Sequence, residues 1–446
     1  MKYQLAIIGG GPAGYTAAET AGKAGLSVVL FEKNNVGGVC LNEGCIPTKT
    51  LLYSAKVHDM ALHASKYGVS VQDVSVDLGK IVARKTKVVR KLVMGIKAKL
   101  TAQHVTLIQG EAYIQDAHAV CCNEEVYECD YLMVCTGSTT FVPSIPGLDT
   151  VNYWTHREAL ENKEIPSSLV IVGGGVIGME FASFFNSLGV EVTVIEMMDE
   201  ILGGIDKELA GLLRMDYAKK GVKFLLGAKV TQIAQSEETV EVSYTCGEDK
   251  GSVCAEKLLM SVGRRPVMTG FGLENLHLEL TNRGTVKVNE YLQSSVPGVY
   301  VCGDLNGVSL LAHTAVREAE VAVHHLLGEK GTMSYRAIPG VVYTNPEVAS
   351  VGLTEEALKQ EGRAYQVLRL PAAYSGRFVA ENEGVNGICK VLVGEDEEIL
   401  GVHLLGNPAS ELIIQAGMMI EDRRKLAEWK KYVFPHPTVG EIFREL

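Results

Sequence analysis

The order of apolar and polar positions sets the opening of the chain. Gln4 to Ile8 is an apolar run of strand length, and it leads directly into Gly9-Gly10-Gly11-Pro12-Ala13-Gly14. Tyr15 to Ala24 then reads as an Ala-rich helix, and Ser27 to Phe31 as a second buried strand closing on Glu32. This is the strand-turn-helix-strand setting that gives a GxGxxG run meaning. Gly9 suits the tight turn, Gly11 lets backbone approach a pyrophosphate, and Gly14 lets the helix lie close on the strand. The helix N-terminus offers N–H groups to phosphates, and Glu32 offers a carboxylate to a ribose.

The pattern occurs twice. Ile171 to Gly178 repeats the first motif 164 residues later, with Gly173, Gly175 and Gly178 at the motif positions and Gly189, Val192 and Glu196 repeating Gly25, Val28 and Glu32. An ungapped internal duplication implies two dinucleotides. Glu196 favours a free ribose 2′-hydroxyl, and Met197, Met198, Asp199 and Glu200 after it supply no cation for a 2′-phosphate, so the second site is expected to take NAD rather than NADP.

Between the two units, Lys80 to Lys99 has Ile81, Val88, Leu92, Ile96 and Leu100 at helical spacing, which predicts a long amphipathic helix with a solvated basic face, a nucleic-acid stripe being the minor alternative. Val105 to Ile108 and Tyr131 to Cys135 read as strands, and Pro143 to Pro166 as a linker with turns. The second nucleotide unit spans Ser167 to Val262, and Val299 to Cys302 forms a strand ending in Gly303-Asp304. Past a linker near Gly331 to Tyr335, an α+β segment runs to Leu446.

Composition narrows this picture. The 446 residues ask for two or three domains, and 47% hydrophobic with 21% charged residues is the balance of a soluble globular enzyme. A net charge of −11 argues against nucleic acid as a partner. No apolar run reaches the ~18 residues of a membrane span. A first strand starting at Lys2 or Tyr3 leaves no signal peptide, so a cytoplasmic location is expected.

In a reducing compartment a disulfide that matters is catalytic. Of 10 cysteines, Cys40 and Cys45 stand apart: they lie five residues apart, behind Gly37-Gly38 and ahead of a helical segment, and read as a redox switch. Lys49, at i+4 from Cys45, shares its helix face and would favour a thiolate. The other eight, Cys121, Cys122, Cys129, Cys135, Cys246, Cys254, Cys302 and Cys389, read mostly as small buried hydrophobes. Cys246 and Cys254 are not spaced as zinc ligands, and no metal is expected.

The stretches Gly37 to Lys49, Val299 to Asp304, Tyr343 to Gly352 and Pro435-His436-Pro437-Thr438 with Glu441 resemble the two-dinucleotide pyridine nucleotide-disulfide oxidoreductases, most closely their dihydrolipoamide dehydrogenase branch. The resemblance covers nearly the whole chain. It implies an α/β fold of two Rossmann-like domains, for FAD and NAD, plus a C-terminal α+β dimerisation domain. The boundaries expected are 1–142 for FAD, 143–263 for NAD, 264–333 returning to the FAD domain and 334–446 for dimerisation.

The resemblance also implies roles. Cys40 would face the substrate and Cys45 the flavin, with Lys49 paired to Glu180 beside it. Glu32 would hold the FAD ribose and Asp304 the ribityl chain, with Ala112, Gly137 and Ala312 lining the same cofactor, while Val230 and Gly263 border NAD. His436 would be the base and Glu441 its orienting carboxylate, in a homodimer whose partner subunit's site the histidine completes. Thr438 and Glu441 equally spell a T-x-x-E capping box for the last helix, so both uses of Glu441 stand at this point. Phe434-Pro435 and the charged stretch Glu421 to Lys431 depart from the family pattern.

The implied activity is NAD-dependent oxidation of protein-bound dihydrolipoamide through FAD, serving a lipoyl-bearing domain of a 2-oxoacid dehydrogenase complex or a glycine cleavage carrier. An acidic dimer would dock on a basic subunit-binding module, more weakly as salt rises. A related NAD(P)H-dependent disulfide or metal reductase is the alternative, and a nonenzymatic NAD-sensing flavoprotein a third.

Overall fold

Leu5, Ala6, Ile7 and Ile8 are buried, which puts strand β1 (Lys2–Ile8) in the interior of a sheet. The computed structural model describes residues 2–446 and divides into two units. The first comprises the chain up to Thr50 together with Ala83–Phe141 and Arg264–Ser334. Its further elements are α1 (Pro12–Lys23), β2 (Val28–Glu32), α2 (Gly38–Glu43), the start of α3 (Cys45–Leu62), most of α4 (Leu78–Ala102), β3 (Thr106–Gln109), β4 (Tyr113–Asp116), β5 (Ala119–Cys122) and β6 (Glu125–Val134). The sheet runs β3-β2-β1-β6 in parallel, with strand Val299–Val301 on the far side of β6; β5 and β4 continue it as an antiparallel extension. Helix α1 lies between the parallel neighbours β1 and β2 in the chain, the crossover that parallel pairing needs.

The second unit comprises Leu51–Val82, Val142–Gly263 and Tyr335–Leu446. Its parallel sheet orders Lys223–Leu225, Glu191–Ile195, Ser168–Val172 and Lys257–Met260, the same topological order as β3-β2-β1-β6. The duplication seen in the motifs therefore extends to the sheets. A three-stranded antiparallel sheet (Ala228–Ser236, Thr239–Cys246, Asp249–Ala255) follows. The C-terminal segment folds as a five-stranded antiparallel sheet against helix Ala409–Glu421. Buried Lys390 in that sheet holds Asp206 at 2.8 Å, Glu208 at 2.9 Å and Glu355 at 2.5 Å, fastening the nucleotide half of the unit to the C-terminal half.

Four expectations need correction. The buried line of α4 is Leu78, Val82, Lys85 and Leu100, so Lys85 is not on a solvated face while Leu92 is exposed. A side chain scored as surface by its charge can bury its stem and find a partner. Cys246 and Cys254 are exposed, because Val253 and Ala255 turn inward onto the core and leave Cys254 on the outer face, while Cys246 closes its strand. The Pro143 to Pro166 stretch carries a helix, His156–Glu161, set by the capping box of Thr155 and Glu158. The last helix, Val439–Glu445, has 3₁₀ geometry.

Candidate active site

Residues five apart on one continuous helix are separated by about 140° and do not face each other. The chain resolves this at Gly44, which breaks α2 from α3 with φ −141° and ψ −109°. A Cβ on Gly44 would sit 2.9 Å from the Val39 carbonyl oxygen, so the break requires glycine. It brings the half-buried thiols of Cys40 and Cys45 into hydrogen-bonding contact. The neighbouring Cys45 thiol, and then burial, push the Cys40 thiol far above its ordinary range. Two features oppose this: the Cys45 N–H, at the N-terminus of an 18-residue helix, donates to Cys40, and the Lys49 ammonium lies one turn further on.

The loop before the pair is tied down. Asn42 Nδ2 donates to the carbonyls of Gly38 (2.9 Å), Val36 (3.2 Å) and Asn35 (3.3 Å), and Thr48 Oγ1 to that of Gly44 at 2.6 Å. Gly38 (φ +58°) approaches so closely that a Cβ there would lie 2.7 Å from Gly11 Cα. That contact sets the cysteine pair beside the first glycine motif. Tyr15, one turn along α1 from Gly11, has its phenol pushed up by burial and then by Cys40 and Cys45, which marks it as a neighbour of the pair.

The two glycine motifs have matching geometry. Gly9 and Gly173 have φ of +100° and +105°, and Cβ atoms there would meet the carbonyl oxygens of Cys135 and Ser261 at 2.3 and 2.5 Å. At Gly14 and Gly178 a Cβ would lie 1.7 and 2.0 Å from the carbonyl oxygens of Gly9 and Gly173. Above Gly175 nothing stands within 4 Å, and above Gly11 only Gly38 Cα at 3.9 Å. These open surfaces at helix N-termini are where phosphate oxygens pass when a dinucleotide is bound. Glu32 accepts from the N–H groups of Gly10 and Asn34, both at 2.7 Å; Glu196 accepts from Gly174 at 2.6 Å and Met198 at 2.8 Å. Each carboxylate keeps further lone pairs for a ribose hydroxyl, so both sites fit a dinucleotide.

Asp304 lies at the end of strand Val299–Val301, where burial raises its carboxyl, opposed by the Ser138 hydroxyl that donates to it and by the Arg264 guanidinium. Arg264 in turn donates to Ser138 Oγ at 2.8 Å and to its carbonyl at 2.6 Å. The turn itself is held by Glu318, fully buried on helix Ala312–Leu326, which accepts from Gly303 N–H (2.6 Å) and Asn306 Nδ2 (3.0 Å). Ala112 is buried, and a Cβ on Gly137 (φ +67°) would meet nothing within 4 Å.

The remaining sites lie in the second unit. Gly263 (φ +126°) opens on empty space, and Val230 sits at a bulge in strand Ala228–Ser236. Buried Glu180, on helix Val176–Ser187, accepts from Tyr343 N–H at 3.1 Å. His436 is four-fifths exposed, with Nδ1 2.9 Å from Glu441 Oε1, while Glu441 Oε2 accepts from Thr438 N–H at 2.8 Å. The aromatic stack Trp429–Phe443 (4.4 Å) and the tilted pair Trp429–Phe434 (6.5 Å) brace this segment, giving the unusual Phe434 a packing role.

Residues 3–319 match the model of the pyridine nucleotide-disulphide oxidoreductases, and residues 338–446 match the dimerisation domain of the same enzymes. The chain belongs to the pyridine nucleotide-disulphide oxidoreductase family. This family member is an oxidoreductase that works with FAD and NAD, and its C-terminal segment is a dimerisation domain. It is 37% identical to a dihydrolipoyl dehydrogenase of Mycoplasma pneumoniae, over 100% of this chain and 98% of the relative. With that of Geobacillus stearothermophilus it shares 35% identity, over 100% and 95% of the two chains. Among solved structures, the HOCl-induced flavoprotein disulfide reductase RclA of Escherichia coli superposes with a TM-score of 0.88 at 30% identity, covering 100% of this chain and 99% of that one. LpdA of Mycobacterium tuberculosis superposes at 0.90 with 25% identity, covering 99% of each. Among the described residues no helix is long and apolar enough to cross a membrane.

Proposed function

We propose that this chain is a dihydrolipoyl dehydrogenase, which oxidises protein-bound dihydrolipoamide to lipoamide with NAD as final acceptor. The observation that carries the reading is the helix break at Gly44, which puts two thiols in contact at a helix N-terminus one turn from Lys49. In the oxidised enzyme this pair is a disulfide. A substrate thiolate attacks Cys40, and Cys45 leaves as a thiolate; the second substrate thiol then displaces Cys40, closing the substrate disulfide and leaving two thiols on the protein. His436 takes the proton of the attacking thiol, and Glu441 holds its Nδ1 so that Nε2 faces outward as the acceptor.

FAD, when bound, supplies the link between two-electron thiol chemistry and hydride transfer to NAD. Residues 1–142 and 264–333 hold it in this reading. Gly9, Gly11 and Gly14 pass its pyrophosphate, Glu32 takes its ribose, Asp304 its ribityl chain, and Ala112, Gly137 and Ala312 line it. Residues 143–263 hold NAD through Gly173, Gly175, Gly178 and Glu196, bordered by Val230 and Gly263. Lys49 keeps positive charge beside the reduced pair. Residues 334–446 form the homodimer contact, and His436 serves the partner subunit's Cys40. The partner is a lipoyl-bearing domain of a 2-oxoacid dehydrogenase complex or a glycine cleavage carrier, in the cytoplasm.

A related disulfide or metal reductase is the second reading, favoured by the similarity to RclA. An anaerobic assay of dihydrolipoamide with NAD separates the two, run on wild type, Cys45→Ser and His436→Ala. The proposal expects NADH from wild type, none from Cys45→Ser and a rate lower by about 10²-fold or more for His436→Ala. No NADH from wild type, with turnover of another disulfide or a metal ion by NADPH, transfers the assignment to the second reading.

A further inference from the structure

Helix α4 (Leu78–Ala102) carries eight Lys or Arg and no Asp or Glu, in a chain of net charge −11. Its ends are neutralised: Lys80 pairs with Asp77 at 3.3 Å and Lys99 with Glu19 at 3.7 Å. The middle is not. Lys87, Arg90, Lys91 and Lys97 are exposed, and among the described residues no carboxylate of this chain stands within ion-pairing distance of them. At 100° per residue these four fall in a sector of about 120°, centred near Met94, which is 63% exposed. Four like charges around one exposed apolar side chain repel one another and do nothing for the fold. An apolar centre ringed by unpaired charge is how a protein-binding face is built.

The stripe is continuous with the candidate redox site. Arg84, one turn before Lys87, donates from Nη1 to the Thr50 carbonyl at 3.0 Å, and Thr50 follows Lys49 on α3. From Arg84 to Lys97 the helix extends about 20 Å, the scale of one face of a small domain.

We propose that the exposed face of α4 around Met94 docks the acidic carrier domain that presents the dithiol substrate. This rests on the dihydrolipoyl dehydrogenase reading and adds to it the sign and place of the carrier contact. Charge complementarity selects the occupant: an acidic carrier is repelled by the chain as a whole and finds attraction along this stripe. A basic partner would be directed elsewhere on the surface.

The test uses the FAD-loaded enzyme and a triple charge reversal, Lys87→Glu with Arg90→Glu and Lys91→Glu, at three exposed positions. Each is assayed with free dihydrolipoamide and with a reduced lipoylated carrier domain of acidic sequence, at low and high salt. The expected result is a KM for the carrier raised about tenfold at low salt, with its salt dependence lost, while kinetics with free dihydrolipoamide stay as in wild type. An unchanged KM for the carrier, with free dihydrolipoamide still turned over, overturns the docking proposal and leaves the activity standing. No turnover of free dihydrolipoamide by wild type overturns the activity itself. Retention of a labelled single-stranded oligonucleotide by wild type but not by the variant, with the carrier KM unmoved, reassigns the stripe to nucleic acid and likewise overturns the proposal.

Discussion

Glu441 divides its carboxylate, one oxygen 2.9 Å from His436 Nδ1 and the other 2.8 Å from the N–H of Thr438. The capping role and the histidine-orienting role, which compete on paper, are filled by one side chain. The cap fixes the carboxylate, and the carboxylate fixes the imidazole. Thr438 N–H, and then His436, hold Glu441 below the ordinary 4.5, so it is charged at any working pH and its contribution is lost only as pH falls below that value. Glu441→Gln keeps an acceptor for Thr438 but removes the charge facing His436. Its melting temperature is expected to match wild type, while kcat falls about 10²-fold and the acid limb of the kcat/KM profile moves. A fall in melting temperature with an unchanged pH profile would reduce Glu441 to a cap.

The Cys40 thiol is pushed up first by the Cys45 thiol beside it, so removing that neighbour has a definite sign. In Cys45→Ser the Cys40 pKa is expected to drop. At pH 8 its alkylation by iodoacetamide, followed peptide by peptide in mass spectrometry, is expected to run about tenfold faster than in reduced wild type. A rate that stays or falls in the variant would show that burial alone sets the thiol.

The glycines separate architecture from cofactor passage. Gly178→Ala drives a methyl group to 2.0 Å from the Gly173 carbonyl oxygen and is expected to lower thermal stability. Gly175→Ala meets nothing within 4 Å and is expected to melt as wild type does while raising KM for NAD about tenfold or more, because the methyl fills the phosphate path. Equal effects of the two on stability would contradict that division.

Lys390 is the clamp of the second unit. Burial would raise Glu355, but hydrogen bonds from Lys390 and then Tyr365 overcome this and hold it at about 2, against an ordinary 4.5. A depressed carboxylate stabilises the fold above its unfolded value, and this is lost as pH falls from about 4.5 toward 2. Lys390→Met leaves Asp206 buried without its cation and is expected to cost about 3–5 kcal/mol. Urea midpoints measured from pH 7 down to 3 should fall steeply for wild type and less steeply for the variant. Parallel curves would remove Lys390 from the acid response.

What the sequence made legible was local. Gly9 to Glu32 and Gly173 to Glu196 could be read because each spans one strand-turn-helix-strand unit, where glycine spacing and hydrophobic period act together. The family membership was equally plain, carried by contiguous motifs. Contacts made at long range left no trace in the pattern: Ser138 meets Asp304 across 166 residues, Arg264 meets Ser138 across 126, and Lys390 meets Asp206 across 184. Glu318 looks like any helical glutamate until the fold folds it under Gly303. Lys85 shows the same limit from the other side, since charge alone does not say whether a lysine on α4 faces water.

The dithiol relay is expected to end on NAD, with Glu196 choosing that acceptor. The most direct measurement is the anaerobic steady-state rate of the FAD-loaded enzyme with dihydrolipoamide and either NAD or NADP. NADH formation is expected with kcat/KM about a hundredfold or more above that for NADP. Absence of NADH, or a preference for NADP, would contradict it.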